Sequence, residues 1–189
     1  MMAQKGFTLI EILIVIFVMV ILATSALMSF SNSAKTFDFF GEVKSFVMEV
    51  RAVKAAAESN REFDCEEEGV LEDTFGVRIY NNRYLILEGG CEVKEVDLAG
   101  TDYWFEVVAA GNLAFELDLP VDLVYERGTG NFRAFSDEVL LSKAENPYVR
   151  VNFRDRVEDL ERYIVIFQLS GLPELFEDLT ALEGDFRKD

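Results

Sequence analysis

The sequence predicts an α+β protein in which a long N-terminal α-helical spine packs against an antiparallel β-sheet head. Three observations carry the prediction. Residues 12–23 contain no polar side chain, apolar residues then recur at helical spacing as far as Ala57, and from about residue 61 the pattern changes to short β-branched and aromatic runs separated by turn residues. At 189 residues, half of them hydrophobic, the chain has room for one packed head and one specialised segment.

The first element is a leader of residues 1–6 followed by an apolar helix of residues 7–30. As a helix, that stretch would span about 36 Å at ~1.5 Å per residue, enough for the ~30 Å hydrocarbon layer with modest tilt. An ordinary secretory signal places its charge first, then a short apolar core, then a small-residue cleavage site. Here the small residue beside a charge is Gly6, next to Lys5 and ahead of the apolar stretch, and no A-x-A-like site with a polar exit follows. Glu11 is the anomaly within the helix. A carboxylate near the start of a membrane segment costs on the order of 2 to 3 kcal/mol at the bilayer centre and less near its edge, so such residues usually have a task. A cut after Gly6 would place a new ammonium on Phe7, four residues before Glu11 and on the same helix face.

Lys5-Gly6-Phe7-Thr8-Leu9-Ile10-Glu11 followed by an apolar helix resembles the class III signal of type IV prepilins and type II secretion pseudopilins. The resemblance implies cleavage between Gly6 and Phe7 by a prepilin peptidase, N-methylation of Phe7, and use of Glu11 to set the register of an incoming subunit. It also implies the type IV pilin-like architecture of helix and head. Lys5 agrees with a cytoplasmic leader under the positive-inside rule. Many major pilins carry a proline at the position matching Met28. This chain has none before Pro120, which predicts a less kinked helix.

Residues 31–60 continue the helix into the head. Phe39, Val43, Phe46, Val50, Val53 and Ala57 form one apolar stripe, while Lys44, Arg51 and Glu58 occupy another face, so this half is amphipathic and covers a sheet. Ser31-Asn32-Ser33 is expected to loosen the junction between the halves. The head occupies residues 61–189. Strands are predicted at 76–80 and 83–88, joined as a hairpin by Asn81-Asn82, and at 93–98, 103–108, 113–119, 121–125, 132–135, 148–153 and 163–169. Residues 173–182 read as a short terminal helix with Leu175, Phe176, Leu179 and Leu182 inward. The amphipathic helix, the Phe75-Gly76-Val77 strand and the late Ser170-Gly171-Leu172 are similar to H-type minor pseudopilins and their pilus relatives.

Charge and chemistry narrow the function. Lys5 and Glu11 are the only charged residues among the first thirty and they cancel, so the whole net charge of −17 belongs to the rest of the chain. That surface repels phosphate backbones and argues against nucleic-acid binding. Cys65 and Cys91 lack CxxC spacing and the chain has no histidine, so the usual zinc sites and Cys/His nucleophiles cannot be assembled. The pair is either a disulfide or two core residues. An extracytoplasmic head favours the bridge, which would contribute roughly 3 kcal/mol in the chain-entropy model. Glu66-Glu67-Glu68 and the surroundings of Asp97, Asp102, Asp118 and Asp122 read as a solvated acidic face with no calcium motif, and Trp104 reads as packing in a strand. Gly128-Thr129-Gly130 reads as a turn, and no P-loop, GxSxG elbow or dinucleotide fingerprint is present.

The expectation is therefore a structural subunit of a type IV pilus or type II secretion pseudopilus, with no catalytic residues, metal or cofactor. The alternative is a membrane-anchored extracytoplasmic enzyme or binding protein that uses the same signal. The resemblance implies a single-pass protein of the inner (cytoplasmic) membrane with its head outside, which then passes into a filament. Its implied partners are other pilin or pseudopilin subunits, the prepilin peptidase/methylase and an inner-membrane assembly platform.

Overall fold

A computed structural model describes residues 9–59, 61–62, 73–99, 101–110, 115–136, 139–141, 147–157 and 159–178. One helix, α1, runs from Leu9 to Glu58, 50 residues with no proline and a single glycine, Gly41. It passes through Ser31-Asn32-Ser33 without a break, so that triplet does not interrupt the spine. Its hydrogen-bonded ladder satisfies the backbone whatever the side chains do, and three small polar residues are too weak a breaker to stop it. The chain divides into two compact units, Met1–Gly41 and Glu42–Asp189.

Within the second unit, the stripe read from the sequence is the buried face of α1: Val43, Phe46 and Val50 are fully buried, as is Ala57, and Val53 nearly so. The helix ends where its last carbonyls find partners. Ser59 N–H donates to Ala55 O at 3.0 Å and Gly128 N–H, from a turn of the head, donates to Ala57 O at 2.8 Å. Arg51 Nη2 also donates to Pro173 O at 3.1 Å, and Lys94 pairs with Glu49.

Eleven strands follow: β1 Thr74–Ile79, β2 Arg83–Glu88, β3 Cys91–Asp97, β4 Tyr103–Ala110, β5 Phe115–Glu116, β6 Val121–Glu126, β7 Phe132–Ser136, β8 Val139–Leu140, β9 Tyr148–Asp155, β10 Glu161–Phe167 and β11 Pro173–Phe176. They form two sheets, ordered β3-β2-β1-β6-β7-β8 and β11-β10-β9-β4-β5, with every neighbouring pair antiparallel. Period-2 alternation sets the inward faces. In the second sheet Phe105, Val107 and Ala109 of β4 stand opposite Phe153, Val151 and Val149 of β9, all buried.

The core is aromatic. Phe46 of α1 lies 5.0 Å from the Tyr84 ring of β2 and 5.2 Å from the Phe105 ring of β4, so one helix side chain touches both sheets. A second link joins Tyr125 of β6 to the approach to β11, where its hydroxyl donates to Gly171 O at 2.7 Å. Gly171 is required there: its φ is 65°, and a Cβ would sit 2.8 Å from both Phe132 Cβ and Tyr125 Cε1.

Three expectations change. The head is two antiparallel sheets where the sequence suggested one, because the pairings β1 with β6 and β4 with β9 join segments distant in sequence. The strand expected at 113–119 is reduced to β5, and residues 111–114 lie outside the described residues. The terminal helix is absent over its first turn. Pro173–Phe176 pairs with β10 in the register Ile166↔Pro173 to Tyr163↔Phe176, so pairing at the free edge of a sheet overrides the local helical pattern. Its remaining residues, Leu179 and Leu182 among them, lie outside the described residues.

Burial, reinforced by the nearby Glu49 and Glu42 of α1, pushes the Tyr84 hydroxyl from 10.0 up to about 12. Below pH 10 both folded and unfolded chains keep this proton and it contributes nothing to pH dependence. Between pH 10 and about 12 the unfolded chain releases it first, so stability falls as pH rises through that window. Tyr125, raised by burial as well, adds to the same alkaline loss. Tyr84→Phe should make the fall shallower, read from urea midpoints of the full chain in detergent across this range. An unchanged slope would contradict the burial of that hydroxyl.

Candidate functional site

The first turns of α1 are the exceptional surface of this protein. From Leu9 to Leu27 the helix is long and apolar enough to cross a membrane, and none of it is buried. The large apolar side chains of this stretch point all round the helix and are exposed, from 47% at Val18 to 83% at Leu9. At ~1.5 Å per residue the stretch is about 28 Å long, close to the hydrocarbon thickness of a bilayer. A helix apolar on every side has no polar face to offer water, which marks it for lipid or for other helices.

The two side-chain hydroxyls of this segment are satisfied internally. Thr24 Oγ1 donates to Val20 O at 3.1 Å and to Ile21 O at 2.9 Å, and Ser25 Oγ donates to Ile21 O at 2.9 Å. Each hydroxyl therefore folds back on the preceding turn and leaves no bare donor for a hydrocarbon environment. The sequence reading passed over these two residues; their signal is only that Ser and Thr in an apolar helix can bond the carbonyl four residues back.

Glu11 is the single acidic residue of the first turn of α1. Gly6 and Phe7, the expected cleavage and methylation positions, lie outside the described residues. Of the expected cysteine pair, Cys91 opens β3 and is disulfide-bonded, while Cys65 lies outside the described residues.

The head presents structural pairings at the positions where chemistry would be sought. Strongly shifted groups often mark functional sites. Here the Arg78 guanidinium is held above its ordinary value chiefly by the bidentate contact with Asp122, at 2.7 and 3.0 Å, and these two residues face each other across β1 and β6. Shifted Tyr84 and Tyr125 belong to the core. Trp104, expected in packing, is half-buried on β4 beneath Arg154, 5.3 Å from the ring centre. Among the described residues no three Cys, Asp or Glu side chains converge as a metal site.

Comparison with protein families matches the prokaryotic N-terminal methylation motif to residues 1–27. This motif is the class III signal of type IV pilins and pseudopilins. Comparisons with curated proteins and with solved structures find no match. The motif and the apolar helix together fit a membrane-anchored protein, and the motif points to a structural, pilin-like precursor.

A charge on the lipid-facing surface should disturb anchoring in proportion to its depth. Val18→Arg, at the middle of the segment, is expected to cost about 2.5–3.5 kcal/mol of insertion and to shift the chain from the integral-membrane fraction toward the alkali-extractable one. Unchanged fractionation would contradict a membrane location for this helix.

Proposed function

Because the chain carries a prokaryotic N-terminal methylation motif ahead of an exposed apolar helix, we propose that it is a structural subunit, a minor pilin or pseudopilin, of a type IV pilus or type II secretion pseudopilus. The observation that carries this reading is the coincidence of three things in the first 27 residues: the motif, a helix with no buried surface, and one carboxylate in its first turn. An anchor alone needs only apolarity. A subunit that must find its place among others needs a polar mark on the same helix.

In this account the helix inserts in the cytoplasmic membrane with the acidic head outside. A prepilin peptidase removes residues 1–6 and methylates Phe7. An inner-membrane assembly platform then draws the chain into a bundle of other pilin or pseudopilin helices. Burial of the exposed apolar side chains against neighbouring helices supplies cohesion. Glu11 supplies register, by meeting a terminal amine within its own chain or on an adjoining subunit. A separate ATPase would drive extraction, since the sequence holds no P-loop.

Glu11→Ala separates the two roles of the helix. Processing after Gly6 should proceed, because the helix remains apolar, while incorporation into sheared filaments should drop. Contacts to charged groups contribute about 1.5–3 kcal/mol, so the drop should be at least ~10-fold. Quantifying the variant in membrane and filament fractions tests this, and wild-type incorporation would sink the registration role.

A further inference from the structure

Among the described side chains two aromatics are exposed: Phe17, in the middle of the apolar segment, and Phe37, which is 75% exposed and lies ten residues past the end of that segment at Leu27. The other described aromatics are at least partly buried. Phe37 belongs to α1 and to the first compact unit, Met1–Gly41. A single exposed aromatic is ordinary on a soluble surface. What sets Phe37 apart is the charge pattern around it and its distance along the helix.

Between Glu11 and Asp38 the chain holds one charged residue, Lys35, which is exposed. Around it stand Ser29, Ser31, Asn32, Ser33 and Thr36, polar without charge, and acids resume only with Asp38 and Glu42. Since α1 passes through this stretch unbroken, Glu11 and Asp38 are about 40 Å apart at ~1.5 Å per residue, and a bilayer with its headgroup layers is ~40–45 Å thick. The interval between the two acids therefore matches the whole membrane, where Leu9–Leu27 matches its hydrocarbon alone. Helical side chains lean toward the N-terminus, so the Phe37 ring and the Lys35 ammonium reach back toward the apolar segment by about a turn.

We propose that Phe37 and Lys35 form an interfacial anchor in the lipid leaflet that the C-terminal end of the segment reaches, with the ring at the boundary of acyl chains and headgroups and the ammonium against lipid phosphates. The inference rests on the membrane-anchored reading of Leu9–Leu27. Lipid is the occupant that the surroundings select. The anchor is continuous with a helix already sized to a bilayer, on the same unbroken α1. The charge on this stretch has the sign that phosphate attracts, while the excess from Asp38 onward has the sign it repels. Phenylalanine gains by leaving water for that boundary, and lysine can lay its apolar stem along it while keeping the charge outside. The consequence is positional. An anchor at this end fixes how far the helix sinks, and so holds the Glu11 carboxylate at the opposite headgroup layer, outside the hydrocarbon, where a terminal amine four residues earlier is within its reach.

The test places a single indole along α1 of the full chain, with Trp104→Phe removing the native one, in vesicles of phosphatidylcholine and phosphatidylglycerol. Some vesicles carry bromine, which quenches a touching indole, high on the acyl chain and others carry it near the chain end. Emission from Phe37→Trp should be blue-shifted and fall by roughly half with bromine high on the chain, and less with bromine near its end. Lys35→Glu in the same chain should cut that quenching about twofold, because a carboxylate is pushed away from the phosphates. Met48→Trp, at a position 69% exposed and further along α1, controls for the indole's own liking for membranes and should stay unquenched. Val18→Trp should be quenched most by bromine near the chain end. Aqueous, unquenched emission from Phe37→Trp, or equal quenching of Met48→Trp, overturns the proposal, and unchanged quenching after Lys35→Glu overturns the lysine's part in it. In each of these cases quenching of Val18→Trp leaves the membrane-anchored reading standing, and its absence fails both.

Discussion

An apolar helix that shows its side chains in every direction cannot remain in water, and the rest of this protein is arranged around that constraint. Burying a single Leu or Ile side chain is worth about 1.5–3 kcal/mol, and the segment Leu9–Leu27 leaves all of its own exposed. Lipid satisfies the segment first. A bundle of similar helices would satisfy it equally well. The internal bonding of Thr24 and Ser25 leaves no bare hydroxyl donor in either setting.

The second unit meets the opposite condition. Its part of α1 is amphipathic and buries its stripe, with Phe46 wedged between Tyr84 and Phe105 so that two sheets share one helical side chain. The bond from Tyr125 to Gly171 closes the head at a second place and uses the one residue type that fits there. Aromatic packing and the disulfide at Cys91 hold this unit together, and all but two of the chain's charged residues lie beyond residue 30.

Much of this was legible from the chain because it is local. The apolar segment, the stripe from Phe39 to Ala57 and the β1–β2 hairpin at Asn81-Asn82 each follow from spacing within a few turns or residues, and each is present. The methylation motif is legible for a different reason: it is a linear signal, carried whole by residues 1–27 and independent of any partner remote in the chain. What was missed depends on partners remote in the chain. Alternation shows which residues of β4 and β9 point the same way but not that these strands are neighbours, so the split into two sheets was hidden, as was the placing of Arg154 over Trp104. Pro173–Phe176 reads as a helix start by composition and becomes a strand because β10 presents an edge to it.

The central claim is that this chain is processed as a prepilin. It is tested most directly by intact-mass and N-terminal peptide mass spectrometry of the protein recovered from its native membrane or sheared surface fraction. The account predicts a chain that lacks residues 1–6 and begins at N-methylated Phe7. A chain that keeps Met1 through Gly6 in a cell with an active prepilin peptidase would contradict it, and would leave the apolar helix as a plain anchor for a head whose function lies elsewhere.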